Sequence, residues 1–90
     1  MFWQFGLRQS QQKGRGMRIH LDSSLLIWME YFAEEYRLQL AFHGGAIYDY
    51  FDVPLSIPNE LLNASSKGRY FNLHIRDHFP TQRLLGSSAT

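Results

Sequence analysis

The chain contains no cysteine among its 90 residues, and this absence excludes several kinds of chemistry at once. Disulfide bonds, thiolate metal ligands and thiol nucleophiles all require a cysteine side chain, so this chain can form none of them. The absence also fits a reducing compartment, and we expect a cytoplasmic protein. Stability must therefore come from the packing of a hydrophobic core.

Long hydrophobic runs are missing as well. A membrane-spanning helix needs about 20 consecutive apolar residues, and the first residues of the chain have no signal-peptide core. We therefore expect no membrane partner. A chain of 90 residues is the size of one small domain, which has little room for a deep, closed cleft.

Acidic residues are absent from the first 18 residues, which carry four basic side chains. Residues 19–65 carry seven acids and one arginine, and residues 66–83 carry four bases and one acid. A polyanion should therefore contact the two basic ends of the chain and avoid the acidic middle. The alternative is ordinary surface charge with no binding role.

The hydrophobic pattern predicts an α+β domain over residues 18–85, with a three-stranded antiparallel meander followed by two C-terminal helices packed on one face. The predicted strands are residues 25–32, the alternating stretch 37–42 and residues 46–54, where Pro54 ends the last strand.

The remaining segments are predicted from capping and composition. A short helix over residues 59–63 has Ser56 as its N-cap, and a second helix runs from Lys67 towards Phe79 before Pro80. We expect residues 1–17 to form a flexible basic arm and residues 86–90 to form a disordered tail.

One acidic residue predicts how the second and third strands pair. A two-residue loop at residues 44–45 would place Asp49 opposite Leu40, and burial of an unpartnered carboxylate is costly. A three-residue loop or a bulge places Tyr48 and Tyr50 on that face instead. We therefore predict a three-residue loop or a bulge in this hairpin.

The same register predicts the environment of both sheet faces. On one face we expect Tyr50, Phe71 and Ile75 to be buried near one another. The opposite face carries three large apolar residues, Trp28, Ile47 and Phe51. Such a face is rarely left bare, so it is a candidate docking surface for a protein partner or for a second copy of the chain in a homodimer. The partner would be a host enzyme if the chain is a small phage-type effector. The N-terminal arm, through Phe2, Trp3 and Phe5, is another candidate to cover this face.

Two segments resemble a known domain family. They are GGAIYDYFDVP, residues 44–54, and ASSKGRYFNLHIRDHFPTQRL, residues 64–84. Both are similar to the KTSC domain, which occurs at the C-terminus of some lysyl-tRNA synthetases and as free-standing short bacterial and phage proteins. The resemblance covers about residues 23–84. It implies no established activity, and it suggests RNA binding.

The start of the second helix is the candidate nucleic-acid site. Ser65 or Ser66 caps the helix, Lys67 and Arg69 add charge, and Gly68 allows a phosphate to approach the backbone. At helical spacing Arg69 shares a face with two more polar residues, which can contact RNA. The predicted RNA-binding or polyanion-binding residues are Ser66, Lys67, Gly68, Arg69, Asn72 and Arg76. The alternatives are a serine cap with a glycine kept for packing, and a solvated helix face.

The sequence offers weaker evidence for a metal site, a base-stacking site or a catalytic site. His74 and His78 stand four residues apart, but two ligands do not make a zinc site, so we expect no metal and no other cofactor. Tyr48 and Tyr50 could stack on bases, but the predicted register places them in the core. No nucleophile stands at a recognisable spacing from a base. We therefore expect a binding module and not an enzyme.

Overall fold

A computed structural model of the chain describes residues 17–85. This part of the chain is an α+β domain in which a five-stranded antiparallel sheet packs against two helices. The strands, in their order across the sheet, are β1 (Arg18–His20), β2 (Leu26–Phe32), β3 (Arg37–Phe42), β4 (Ile47–Tyr50) and β5 (Thr81–Leu85). Helix α1 spans Ser56–Asn63, and α2 spans Lys67–Tyr70 and continues into a π-helical turn, Phe71–Ile75. The predicted arm, apart from Met17, and the predicted tail lie outside the described residues.

The predicted meander corresponds to β2, β3 and β4, but β4 ends at Tyr50 and not at Pro54. The prediction of three strands is wrong because the sheet has five within residues 17–85. Both missed strands lie at the edges of the sheet that residues 17–85 form. Strand β1 has only three residues, and the side chains from Thr81 to Leu84 in β5 are all exposed. Neither segment therefore shows the apolar alternation that marks a strand with one buried face.

The hairpin between β3 and β4 has the predicted three-residue loop, residues 43–45. The Phe42 N–H donates to the Ala46 carbonyl at 2.9 Å, and the Gly45 N–H donates to the Phe42 carbonyl at 3.0 Å. Gly44 and Gly45 have φ of 107° and 106°, a conformation that glycine adopts without steric cost.

The strand register is also confirmed. Leu40 pairs with Tyr48, and Asp49 pairs with Gln39 on the other side of the sheet. Because alternate residues point to opposite faces, the carboxylate of Asp49 avoids the core.

The core lies between the sheet and the two helices. The sheet contributes Leu38 and Leu40, and the helical segments contribute Leu61 and Ile75, all with 0% exposure. Tyr50 is 4% exposed, and its ring lies 6.0 Å from the ring of Phe71, centroid to centroid, so the predicted burial of this group is confirmed.

Helix α1 begins earlier than predicted. Ser56 is its first helical residue and not its cap, since Leu55 occupies the N-cap position without a side-chain hydrogen bond. The Ile57 N–H donates to the Pro54 carbonyl at 3.0 Å, so the helical turn starts directly after the proline. In the described part of the chain, neither helix has the length and apolarity that a membrane crossing requires.

The second helix begins as predicted but ends sooner. The Ser66 hydroxyl accepts a hydrogen bond from the Arg69 N–H at 3.3 Å, which is the predicted cap. The helix ends at Ile75 instead of running towards Phe79, because Arg76 leaves the helical conformation with a ψ of 126°. Asp77 then adopts a left-handed φ of 64°, and the chain turns towards β5. This turn is what brings Thr81 alongside Tyr50.

Candidate nucleic-acid interface

Within residues 17–85, the helices do not completely cover the inner face of the sheet on which they pack. Between β4, β5 and the π-helical turn lies an open cleft of about 440 Å³, a volume in the usual range for ligand sites. Its walls are four aromatic rings, those of Phe42, Tyr48, Tyr50 and Phe71. Its rim carries Arg76, Asp77 and Thr81. We call this feature the aromatic cleft.

The rings of the aromatic cleft contact one another in a continuous array. Phe42 meets Tyr48 edge to face at 5.6 Å and Phe71 edge to face at 5.2 Å, both between ring centroids. Tyr48 and Tyr50 are stacked at 6.2 Å. This packing holds the walls of the cleft in place.

The two tyrosines differ in exposure. Burial raises the pKa of Tyr50 well above its ordinary value, and the nearby Tyr48 adds to this effect. Tyr48 is only partly buried, so its ring remains accessible from the cleft. The predicted core position therefore describes Tyr50, whereas Tyr48 lies at the boundary between core and solvent.

The charged groups at the rim are Arg76 and Asp77, both exposed. Within residues 17–85 neither side chain forms an ion pair. The Arg76 N–H donates to the Phe71 carbonyl at 2.9 Å, which fixes the backbone at this point. The guanidinium of Arg83 lies 5.9 Å from the centroid of the Tyr48 ring. Arg76 and Asp77 thus line the rim of the aromatic cleft, and Arg83 lies near the Tyr48 ring outside that lining.

The start of α2, for which the sequence predicts a phosphate site, makes packing contacts with neighbouring segments. The Lys67 ammonium donates to the Ala64 carbonyl at 2.9 Å and so satisfies the C-terminal end of α1. A Cβ at Gly68 would lie 3.5 Å from the Cβ of Leu25, an ordinary contact, so the helix passes close to that side chain. Lys67 therefore has a structural contact and Ser66 is the cap of α2. Ser66, Lys67 and Gly68 also line a small depression together with Asp22 and Ser23.

The structure does not bring the two predicted arginines of this helix into one depression. Arg69 lines a shallow groove with Tyr70, Leu73 and His74, whereas Arg76 lines the aromatic cleft, and the two linings share no residue. Asn72 is exposed and lines neither. The cause is the π-helical turn, which has more residues per turn than an α-helix and ends before Arg76.

The predicted apolar residues of the other face are separated by polar ones. Trp28 and Ile47 flank Ala41 on the outer face of the sheet, which carries no described helix. Beside them runs a row of polar residues across the strands, comprising Arg18, Glu30, Gln39, Asp49 and Gln82. We call it the polar row. By alternation Phe51 lies beyond the polar row, so it is not contiguous with Trp28.

The acids of the polar row are buried but paired. Asp49, which is 6% exposed, accepts hydrogen bonds from Arg37 at 3.2 Å and from Gln39 at 2.9 Å. A hydrogen bond to Glu35 is the largest cause of the raised pKa of Arg37, and Asp49 adds to it. The guanidinium of Arg18 lies 3.9 Å from the centroid of the Trp28 ring.

The histidine pair is not part of a metal cluster in the described residues. The His74 ring lies 4.5 Å from the Tyr70 ring, centroid to centroid. Burial, followed by a 2.7 Å hydrogen bond from the Tyr70 hydroxyl to Glu60, raises the pKa of Tyr70 to about 12. His74 thus packs on a tyrosine that keeps its proton.

Sequence reasoning missed the aromatic cleft. The available signal was the alternation that places Phe42, Tyr48 and Tyr50 on one face of the sheet. The sequence did not show that β5 extends the sheet past the helices, so that the helices leave the end of this face uncovered.

Comparison with known proteins gives close relatives of two kinds. A lysine–tRNA ligase from a Nostoc species is 49% identical over 47 residues, which are 52% of this chain and 8% of the ligase. The chain thus spans only a small part of that enzyme. An uncharacterized protein of Stutzerimonas stutzeri is 42% identical over 55 residues, which are 61% of this chain and 78% of that protein.

A solved structure and a family model agree with these matches. The crystal structure of a KTSC domain protein from Yersinia pestis is similar with a TM-score of 0.73 and 26% identity, over 76% of this chain and 96% of that chain. The KTSC domain model matches residues 22–79, which are well over half of the chain. From its sequence and from its fold, the chain belongs to the KTSC domain family.

Proposed function

We propose that this chain is a non-catalytic module that binds single-stranded RNA, with a base in the aromatic cleft and a phosphate beside Arg76. The observation that supports this is the cleft itself, an open cavity of about 440 Å³ with a partly exposed Tyr48 ring in its wall and Arg76 on its rim. Proteins that recognise RNA stack unpaired bases on aromatic side chains, and arginine contacts the phosphates.

The walls of the cleft favour a single strand over a duplex. A base inside a double helix is stacked on both sides and cannot present a face to a protein ring. Tyr48 lies in a recess between β4 and the π-helical turn, so a base must leave its own stack to reach it. An unpaired nucleotide fits this geometry.

The similarity to lysine–tRNA ligases adds support. The matched segment belongs to an enzyme named for tRNA, so a domain attached to it works close to RNA. The match covers 8% of the ligase, and the same fold accounts for nearly all of the Yersinia pestis chain. These matches support a binding role that does not depend on the remainder of the ligase.

The test is fluorescence anisotropy with a labelled single-stranded oligoribonucleotide and the matching duplex, across a series of salt concentrations. Wild type should prefer the single strand. Replacement Tyr48→Ala removes a stacking surface worth about 1–3 kcal/mol, so affinity should fall by about 5- to 150-fold. Circular dichroism should show that the variant is folded.

Two arginine variants provide a matched pair. Arg76→Ala removes a phosphate contact, so affinity should fall and the slope of log affinity against log salt should become shallower by about one. Arg69→Ala removes the same charge from a different groove and should leave the slope unchanged. Equal effects of both variants would show that only overall charge matters, and an absence of RNA binding would reject the proposal.

A second candidate function is docking of a second copy of the chain on the outer face, through Trp28 and Ile47. The observation that favours it is that this part of the sheet carries a large aromatic side chain where no described helix packs. Analytical ultracentrifugation should then show a dimer that Trp28→Glu splits without unfolding the domain. A monomeric wild type would contradict this candidate.

A further inference from the structure

The rim of the aromatic cleft carries a carboxylate that a polyanion site does not need. Asp77 is exposed and lines the cleft, and within residues 17–85 no side chain forms an ion pair with it. A negative charge at this point repels phosphate. Its presence beside Arg76 is explained if the ligand itself donates hydrogen bonds to it.

The backbone holds this carboxylate in a defined position. Asp77 has a left-handed φ of 64°, and the residues on both sides of it are tied to the π-helical turn. The Arg76 N–H donates to the Phe71 carbonyl at 2.9 Å, and the His78 N–H donates to the Ile75 carbonyl at 3.0 Å. The Asp77 side chain therefore starts from a fixed point on the rim of the cleft.

A carboxylate is only an acceptor, so it discriminates among bases by their donors. Guanine presents two adjacent donors on its Watson–Crick edge, the ring N1–H and the N2 amino group, which match the two oxygens of one carboxylate. On the same edge adenine and cytosine each pair one amino donor with a ring nitrogen that accepts, and uracil places its single N–H between two carbonyl oxygens. Bidentate pairing with a charged partner is the stronger and more selective arrangement.

We propose that the aromatic cleft selects guanine, which stacks on Tyr48 and donates two hydrogen bonds to Asp77 while Arg76 contacts a neighbouring phosphate. This inference rests on the proposed RNA-binding function and specifies its ligand. A bidentate contact of this kind discriminates between bases by about 5- to 150-fold.

The experiment measures the affinity of the full chain for four oligoribonucleotides that are uridine throughout except for one central position, which holds guanine, inosine, adenine or cytosine. Inosine keeps the N1–H of guanine and lacks the N2 amino group, so it tests one of the two hydrogen bonds. Wild type should bind the guanine strand most tightly, by about 5- to 150-fold over adenine, with inosine between them.

Two protein variants complete the test. Asp77→Asn keeps the shape of the side chain and a residue type that tolerates the left-handed conformation, and it should abolish the preference for guanine. Asp52→Asn is the matched control, because Asp52 is also exposed, has a φ of 62° and lies outside the cleft lining. This control should retain the preference.

The outcomes separate the two proposals. Equal affinity of wild type for all four strands, or a guanine preference that survives Asp77→Asn, would overturn guanine selection while RNA binding stands. No binding of any strand would overturn RNA binding and guanine selection together.

Discussion

The two faces of the sheet are built from the same strands but differ in the residues that they bury. In β3, Leu38 and Leu40 point inward and are completely buried, whereas Gln39 between them points outward and joins the polar row. The inner face is aliphatic at Leu38 and Leu40 and aromatic at the cleft, where Phe71 packs against Phe42 and Tyr50. The outer face buries acids and pairs each with a basic side chain.

This difference shows how register is specified. Asp49 on the inner face would lose its hydration with no partner, while on the outer face Arg37 and Gln39 both donate to it. A shift by one residue would exchange the faces and leave Leu38 and Leu40 in solvent. Apolar burial and polar pairing therefore exclude the same wrong register.

The largest loss of stability should follow a substitution on the inner face. Leu40→Ala leaves a cavity in a fully buried position and should lower the free energy of unfolding by about 2–5 kcal/mol, measured by urea denaturation. Ile47→Ala on the outer face is the matched control and should cost about 1 kcal/mol or less, because Ile47 is partly exposed. Equal losses would mean that the two faces do not differ in their contribution to stability.

The next effect should come from the polar row. Asp49→Ala leaves Arg37 and Gln39 without their shared acceptor and should lower the free energy of unfolding by about 1–3 kcal/mol. The neighbouring Gln82→Ala should change it by less than about 0.5 kcal/mol, because Gln82 is exposed. If Asp49→Ala were neutral, the polar row would not stabilise the fold.

The third effect appears only at high pH and concerns Tyr50 on the inner face. Burial raises the pKa of Tyr50 above its ordinary value of 10.0, so the folded state holds this proton more tightly than the unfolded state does. The contribution to stability is complete below pH 10 and is lost progressively as the pH rises beyond it. Denaturation of wild type between pH 8 and 11 should show this loss, and Tyr50→Phe should lose less. Parallel profiles would contradict a buried, protonated Tyr50.

The smallest effect should come from the edge of the outer face. Arg18 pairs with Glu30 at 3.5 Å and lies over Trp28, but its side chain is 59% exposed. Arg18→Ala should therefore lower the free energy of unfolding by about 1 kcal/mol or less, and high salt should reduce the difference. A loss as large as that of Asp49→Ala would show that Arg18, at the edge of the polar row, contributes as much to stability as Asp49 does.

The middle of the fold could be predicted because local pattern and burial agree there. The existence of strands β2 to β4, the register between β3 and β4, and the burial of Tyr50, Phe71 and Ile75 follow from alternation and from the cost of burying Asp49. The edges could not be predicted in this way. Strand β1 is held by pairing with β2, and β5 is held by pairing with β4, without an apolar stripe of their own.

The candidate site depended on the tertiary structure. Helical spacing places Arg69 and Arg76 on one face only if every turn has the same number of residues, and the π-helical turn breaks that rule. The sequence shows that Lys67 is charged, but only the fold shows that its ammonium donates a hydrogen bond to the Ala64 carbonyl.

The sequence by itself determined which residues alternate, which glycines can close the hairpin and which face of each strand can be buried, because these depend on neighbours in the chain. Only the tertiary structure decided which aromatic rings remain open to solvent and which charges stand beside them. Those properties depend on where the helix stops before Arg76 and on where β5 joins the sheet after the turn at Asp77.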